Sequence, residues 1–272
     1  MTNETEDTVS ETSADALTPG AIPPVGLGTM GIEDPQAITT ALDVGYRHLD
    51  TAQIYENEAV VGEGLADSPV PREDVLVATK VWADSLAAAD VRESTLASRE
   101  KLGVETIDLL YVHRPIDTYD PATTLPAFDA LREDGVVRGV GVSNFTVAEL
   151  DEAVSILDSP LVAHQTEYHP LFRRPELLEH AREHGYRLVA YSPLAGGKVF
   201  ELPEITAVAE KHETTEAAVA VAWLRAKDIA VIPKASSRSH LEANLRAGEL
   251  ALDDEDVARI DAIEREEELF PE

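Results

Sequence analysis

Short runs of Val, Ile and Leu alternate with longer segments in which apolar residues recur every three or four positions. The short runs predict strands at residues 25–29, 46–50, 75–80, 108–113, 137–143, 163–167, 187–191 and 229–233. The longer segments predict helices at 35–44, 58–66, 87–102, 124–134, 147–157, 175–184 and 215–226, followed by two more near 239–247 and 253–266.

Eight strands that alternate with helices over about 250 residues are typical of a (β/α)8 TIM barrel, which is an α/β fold. The alternative is an open doubly wound sheet, which carries a glycine-rich phosphate loop directly after its first strand. The segment GLGTMG at 26–31 lacks the second glycine spacing of that loop, and no acidic residue ends the next strand suitably for a ribose. We therefore predict a barrel domain over residues 20–272, preceded by a disordered acidic extension at 1–19.

The charge of the chain limits its partners. It has 52 acidic and 22 basic residues, a formal net charge of −30. A field of this sign repels nucleic acid and anionic lipid, so we expect neither nucleic acid nor a membrane as a partner. The acidic residues are spread along the chain, which favours a surface adapted to high salt over a protein that binds many cations.

Composition also bears on compartment and chemistry. The chain has no cysteine, which excludes disulfides and thiolate chemistry. No apolar run approaches the roughly 20 residues that a membrane span requires. The N-terminus has neither the basic nor the apolar region of a secretory signal. We expect a cytoplasmic protein.

Four chemically reactive side chains stand at or just after the ends of successive predicted strands. Asp50 ends the second strand and Tyr55 follows it, Lys80 ends the third strand, and His113 ends the fourth. In a TIM barrel the carboxyl ends of the strands form one rim, where catalytic residues gather. Each residue alone could serve packing or a turn, but all four together predict a site.

These four groups suit proton transfer to a carbonyl. A phenol ordinarily has a pKa of about 10, and an ammonium group in contact with it favours the phenolate. A carboxylate keeps a buried ammonium charged, and an imidazole can donate a hydrogen bond to a carbonyl oxygen. The set therefore predicts a general acid facing a carbonyl. One histidine and one carboxylate make a poor metal site, so no metal is expected.

At this point the chain resembles the aldo-keto reductases, barrel enzymes that reduce aldehydes and ketones with a nicotinamide cofactor. The resemblance rests on GYRHLDTAQIYENE at 45–58, LVATKVW at 76–82, IDLLYVHRP at 107–115 and QTEYHP at 165–170, and it covers about residues 20–265. It implies a catalytic tetrad of Asp50, Tyr55, Lys80 and His113, with Tyr55 as the proton donor.

The resemblance also implies the cofactor contacts. Ser143, Asn144 and Gln165 would hydrogen-bond the nicotinamide carboxamide, and Tyr191 would stack on its ring. Further contacts are expected from Ser192 and Leu194 after the seventh strand, and from Lys234, Ser236, Arg238 and Asn244 after the eighth.

The choice between NADPH and NADH depends on the segment after the eighth strand. The family places an arginine six residues after the lysine that corresponds to Lys234, to bind the 2′-phosphate, but here that position is His240. Arg238 lies two residues earlier and offers the planar fork that binds two phosphate oxygens. A lysine retained among only six in the chain favours NADPH, with NADH as the alternative.

The rim segments are short, as in the compact prokaryotic members that the chain resembles. This resemblance implies an open pocket for small aldehydes, ketones or keto-sugars, walled by Met30, Trp82 and Tyr119. The alternative is a regulatory barrel that binds the cofactor with little turnover. A complete tetrad argues against it, because a sensor needs no proton donor. A monomer is the expectation for this family.

The charge generates a first prediction. Self-repulsion should destabilise the folded chain at low ionic strength, because the Debye length grows from about 3 Å at 1 M to about 30 Å at 0.01 M salt. We expect the melting temperature to rise strongly between about 0.1 M and about 2 M NaCl. Sucrose at matched osmolality controls for general solute exclusion, and a melting temperature independent of salt would refute a salt-adapted surface.

Overall fold

Eight parallel strands form the centre of the protein in a computed structural model that describes residues 16–271. The strands are β1 Leu27–Gly28, β2 His48–Asp50, β3 Leu76–Val81, β4 Ile107–Val112, β5 Val137–Ser143, β6 Leu161–Glu167, β7 Arg187–Tyr191 and β8 Ala230–Val231. Each pairs with the next in chain order. The sheet closes where the Gly26 N–H donates to the Val231 carbonyl at 2.8 Å and the Val231 N–H donates to the Pro24 carbonyl at 3.0 Å. The predicted (β/α)8 barrel is confirmed.

Helices connect the strands on the outside of the barrel. They are α1 Pro35–Val44, α2 Glu58–Ala66, α3 Ala88–Leu102, α4 Pro121–Glu133, α5 Val147–Ile156, α6 Pro175–His184, α7 Pro203–Lys211, α8 Glu216–Ala226, α9 Arg238–Ala247 and α10 Asp254–Asp261. The periodicity missed α7, a nine-residue helix that begins at a proline, and it ran α10 five residues too far. Within residues 16–271, no helix has both the length and the apolar character needed to cross a bilayer.

Local signals fix several helix starts. The Thr146 side chain accepts from the Glu149 N–H, and the Glu149 side chain accepts from the Thr146 N–H, which together form a capping box. Thr215 caps α8 by accepting from the Ala218 N–H. These bonds satisfy backbone donors that the first helical turn leaves free.

Alternation along each strand sorts the core into two parts. One apolar cluster fills the space between strands and helices, and a second fills the barrel interior. On β3, Leu76 and Ala78 belong to the interior cluster, so Lys80, two residues further on, faces the same side. The same two-residue alternation places the side chains of Asp50, His113 and Gln165 on the inward-facing side of their strands, above the apolar interior.

The floor of the barrel is closed by residues that precede the first strand. Leu17 and Ile22 are buried in the interior cluster, and the Leu17 N–H donates to the Arg138 carbonyl at 3.1 Å. A Cβ at Gly139 would lie 3.1 Å from the Leu17 Cβ, so the glycine makes room for the plug. Leu17 belongs to the predicted extension at 1–19, of which residues 1–15 lie outside the described part of the chain.

Candidate active site

A cavity of about 490 Å³ opens at the carboxyl ends of the strands. Twelve of the residues predicted from the sequence line it: Met30, Asp50, Tyr55, Trp82, His113, Ser143, Asn144, Gln165, Tyr191, Ser192, Leu194 and Lys234. Lys80 lies beneath the cavity and is fully buried. The barrel therefore brings the predicted tetrad together, although its members are up to 63 positions apart in the chain (113 − 50).

A buried ion pair between Lys80 and Asp50 forms the base of the site. The Lys80 ammonium donates to Asp50 Oδ1 and, at 2.8 Å, to the Thr51 carbonyl. The second carboxylate oxygen, Asp50 Oδ2, accepts from the Gln165 amide at 2.7 Å. Both oxygens of the carboxylate thus have donors, which an unexposed carboxylate requires.

Opposing effects act on the pKa of Lys80. Burial lowers the pKa of this ammonium, whereas the Asp50 carboxylate and Tyr55 raise it, and the net shift is upward. The lysine therefore stays charged at neutral pH although no water reaches it. Its Nζ lies 5.2 Å from the centre of the Tyr55 ring, so a fixed positive charge sits beside the phenol.

The His113 ring packs edge-on near the Tyr55 ring at the cavity. The two ring centres are 6.0 Å apart and nearly perpendicular, and the Trp82 ring packs on His113 at 5.0 Å. Burial, followed by the charges of Lys80 and Arg114, lowers the pKa of His113 to about 2. The imidazole is therefore neutral at physiological pH, where it can donate one hydrogen bond and carries no charge.

The turn that carries Tyr55 is anchored by its neighbours. Tyr55 ends a 3-10 turn at Gln53–Tyr55. Gln53 accepts from the Trp82 N–H at 2.9 Å and donates to Ser98 at 3.0 Å. Asn57 donates to the Thr29 carbonyl at 2.7 Å, which ties the turn to the end of β1. These bonds fix the position of the turn that carries the phenol.

Asn144 links the fourth, fifth and seventh strand ends. Its amide donates to the His113 carbonyl and to Ser143 Oγ, both at 3.0 Å, and its oxygen accepts from the Tyr191 hydroxyl at 2.9 Å. Its backbone is left-handed, with φ of 62°, a conformation that asparagine tolerates better than most residues. The sequence predicted a cofactor contact here, and the fold adds a link between strands.

The loop after β7 forms one wall of the cavity. Ser192 has φ of 52°, and the adjacent glycines Gly196 and Gly197 have φ of 61° and 94°. A Cβ at Gly197 would meet no atom within 4 Å, so backbone conformation rather than crowding requires glycine there. Lys198, next in the chain, pairs with Glu267 and fastens this loop to the C-terminal segment.

The C-terminal segment folds back over the cavity. Glu167, buried at the end of β6, accepts from the Leu269 N–H at 2.7 Å and the Phe270 N–H at 3.1 Å. His169 Nε2 lies 2.8 Å from the same carboxylate. Phe270 then lines the cavity and packs edge-on to Tyr191, with ring centres 5.8 Å apart.

Some predicted residues lie outside the cavity. Tyr119 was expected to form a pocket wall, but its ring packs edge-on to Phe145 at 5.5 Å and joins the outer core. Ser236, Arg238 and Asn244 also do not line it. Arg238 begins α9, is exposed, and pairs with Asp43 of α1 and with Glu242, whose Oε1 lies 3.7 Å from the guanidinium.

Sequence reasoning missed several lining residues, among them Ile54, Arg114, Gly196, Gly197 and Phe270. The Gly196–Gly197 pair was a usable signal, because paired glycines after a strand indicate an unusual backbone turn. Phe270 carried none, since its position near the end of the chain says nothing about where Glu167 will hold it.

Comparison with known proteins finds a family model and several relatives that match most of the chain. The family model described as Aldo/keto reductase family matches residues 24–265, which include all eight strands. The chain is 36% identical over 255 residues to methylglyoxal reductase DkgB of Escherichia coli O157:H7, covering 92% of this chain and 96% of that protein. It is 32% identical over 255 residues to glyoxal reductase of Bacillus subtilis (strain 168), covering 92% of each.

A solved structure gives the same result. MGS-M4, an aldo-keto reductase enzyme from a Medee basin deep-sea metagenome library, matches with a TM-score of 0.88 at 32% identity. The match covers 92% of this chain and 94% of that one. Phe270 lies beyond the residues that the family model matches.

The buried ion pair gives a prediction about stability. Asp50→Asn should lower the free energy of unfolding by about 3–5 kcal/mol, because the Lys80 charge then lacks its buried partner. The matched control is Asp43→Asn, which breaks the exposed pair with Arg238 and should cost far less, because water and salt screen an exposed pair. Urea unfolding in high salt measures both, and equal losses would contradict a special role for the buried pair.

Proposed function

The chain belongs to the Aldo/keto reductase family, and from this we propose that it reduces small carbonyl compounds with a reduced nicotinamide cofactor. The observation that carries the proposal is the buried Lys80–Asp50 pair, with Tyr55 and His113 above it at one cavity. The relatives' names, methylglyoxal reductase and glyoxal reductase, point to small aldehydes and dicarbonyls as substrates.

Each tetrad residue has a part in the proposed proton transfer. Tyr55 donates its proton to the carbonyl oxygen as the carbonyl carbon is reduced. His113, neutral at physiological pH because of its lowered pKa, donates a hydrogen bond to the same oxygen and orients it. Lys80 keeps a positive charge beside Tyr55 and favours the phenolate left after the transfer, and Asp50 keeps Lys80 charged and in place.

The residues at the strand ends suit a nicotinamide. Ser143, Asn144 and Gln165 line the cavity with a hydroxyl and two amides, which can pair with a carboxamide group. The Tyr191 ring provides a flat apolar face beside them. Burial raises the pKa of Tyr191, so this ring stays a neutral phenol. When bound, the reduced nicotinamide supplies the hydride.

The pocket walls favour a small substrate with an apolar part. Met30, Trp82 and Phe270 line the cavity, and Met30 is 55% exposed at its mouth. An aldehyde or dicarbonyl can place its oxygen between Tyr55 and His113 while its carbon chain contacts these walls. A cytoplasmic monomer stays a prediction from the sequence.

We predict that Tyr55→Phe lowers kcat roughly 10²–10⁴-fold, the range for loss of a general acid. Cofactor affinity should change little, because the missing hydroxyl faces the substrate. Methylglyoxal-dependent oxidation of the reduced cofactor measures kcat, and fluorescence titration measures cofactor binding. Tyr119→Phe is the matched control, a phenol outside the cavity, and should keep full activity. A Tyr55→Phe protein with near-normal turnover would refute the proposed donor.

We propose NADPH as the preferred cofactor, because Lys234 lines the cavity and Ser236 and Arg238 stand beside the first turn of α9. A helix N-terminus with adjacent hydroxyl and guanidinium groups suits a 2′-phosphate. The phosphate must compete with Asp43 and Glu242, which already hold Arg238. The resulting preference for NADPH over NADH is therefore a modest one.

This competition gives a paired prediction. Arg238→Ala should weaken NADPH binding, because a charge-assisted hydrogen bond is lost, and leave NADH nearly unchanged. Asp43→Asn should have the opposite effect on NADPH, since it releases Arg238 for the phosphate. Titration of both cofactors against both variants provides the test. Equal losses for NADPH and NADH would make Arg238 structural, and tighter binding of NADH by the wild type would reverse the preference.

A further inference from the structure

Two neighbouring helices bring a carboxylate and two imidazoles together on the outside of the barrel. Asp151 lies on α5, and His180 and His184 lie on α6. One ligating atom from each lies within 4.8 Å of the others, and within residues 16–271 no other such group of three was found. None of the three lines the cavity at the strand ends.

One of the three candidate ligands, His180, is held in place, and the other two lie beside it. His180 and His184 are four residues apart on one helix, so both project from the same face. His180 is buried, while Asp151 and His184 are exposed. The His184 ring stacks on the His180 ring with centres 4.1 Å apart, so His184 has to rotate to point a nitrogen at the same metal ion. His180 Nε2 lies 3.1 Å from Asp151 Oδ1. Two ligands of a tetrahedral zinc ion, each about 2.0–2.1 Å from it, are about 3.3 Å apart.

A second contact fixes the buried imidazole. His180 Nδ1 lies 2.8 Å from the Tyr186 hydroxyl. A neutral histidine that binds a metal through Nε2 carries its proton on Nδ1, and this proton needs an acceptor. The Tyr186 hydroxyl oxygen can accept it.

We propose that Asp151, His180 and His184 bind one divalent transition-metal ion of the zinc class, with water completing the coordination. In the bound form Nε2 of His180 bonds to the metal, and the single proton of the neutral ring lies on Nδ1, facing the Tyr186 hydroxyl. The ion joins α5 to α6 and stabilises the folded chain by mass action. Imidazole ligands select zinc-class ions over Mg²⁺ and Ca²⁺, which prefer oxygen.

The acidic surface requires a test that separates this site from general cation attraction. Chelator-treated protein is titrated with Zn²⁺ by calorimetry in high NaCl with excess Mg²⁺, which occupies unspecific carboxylates. We expect one equivalent of Zn²⁺ to bind and the melting temperature to rise. Co²⁺ in place of Zn²⁺ should give the visible absorption of a site with nitrogen ligands.

Matched variants assign the site. His184→Ala removes an exposed ligand and should weaken Zn²⁺ binding at least tenfold, and Asp151→Asn should weaken it as well. His240→Ala removes an exposed histidine outside the cluster and should bind like the wild type. Circular dichroism confirms that each variant folds. Absence of saturable binding to the wild type, or His184→Ala that binds as tightly as His240→Ala, would overturn the proposal.

Discussion

The ion pair between Lys80 and Asp50 is the interaction on which the site depends. A fully buried ammonium is tolerated only with a partner and further hydrogen bonds, and Lys80 has the Asp50 carboxylate and the Thr51 carbonyl. Gln165 holds the far side of the same carboxylate, so the pair connects the second, third and sixth strands. The Tyr55 phenol and the His113 imidazole lie above the pair, beside the fixed positive charge of Lys80.

The barrel interior has an apolar half and a polar half, and this division makes the buried pair possible. The lower half is apolar, filled by residues such as Leu17, Leu76 and Leu109, whereas the upper half carries polar groups. Small residues allow close packing where large side chains crowd the barrel interior. A Cβ at Gly141 would lie 2.6 Å from the Tyr111 ring, so β5 has glycine where β4 presents a large side chain. The site thus stands on a packed floor, which limits how far its charges can move.

Acidic residues serve two different purposes in this chain. Most face solvent and give the protein its charge of −30. A few are buried and hold elements together, as Asp108 does by pairing with Arg72 at 2.6 Å and Arg138 at 2.8 Å. Glu167 holds the C-terminal segment in the same way. A count of acidic residues therefore does not distinguish the carboxylates that face solvent from those that hold the fold together.

The barrel and the four tetrad candidates follow from local periodicity, because alternation along a strand decides which residue faces inward and strand order decides which ends meet. The rest of the predicted lining was implied by the resemblance to the family. The start of α5 after Thr146 also depends on a local signal, since its capping partner Glu149 is three residues away.

Only the tertiary structure decided contacts between segments far apart in the chain. It removed Tyr119 from the pocket by packing it on Phe145, and it brought Phe270 in because Glu167 binds the backbone around it. It also paired Arg238 with Asp43, 195 positions away, which changes what a phosphate must displace. No local pattern encodes these contacts, since each depends on where the closed barrel places two surfaces.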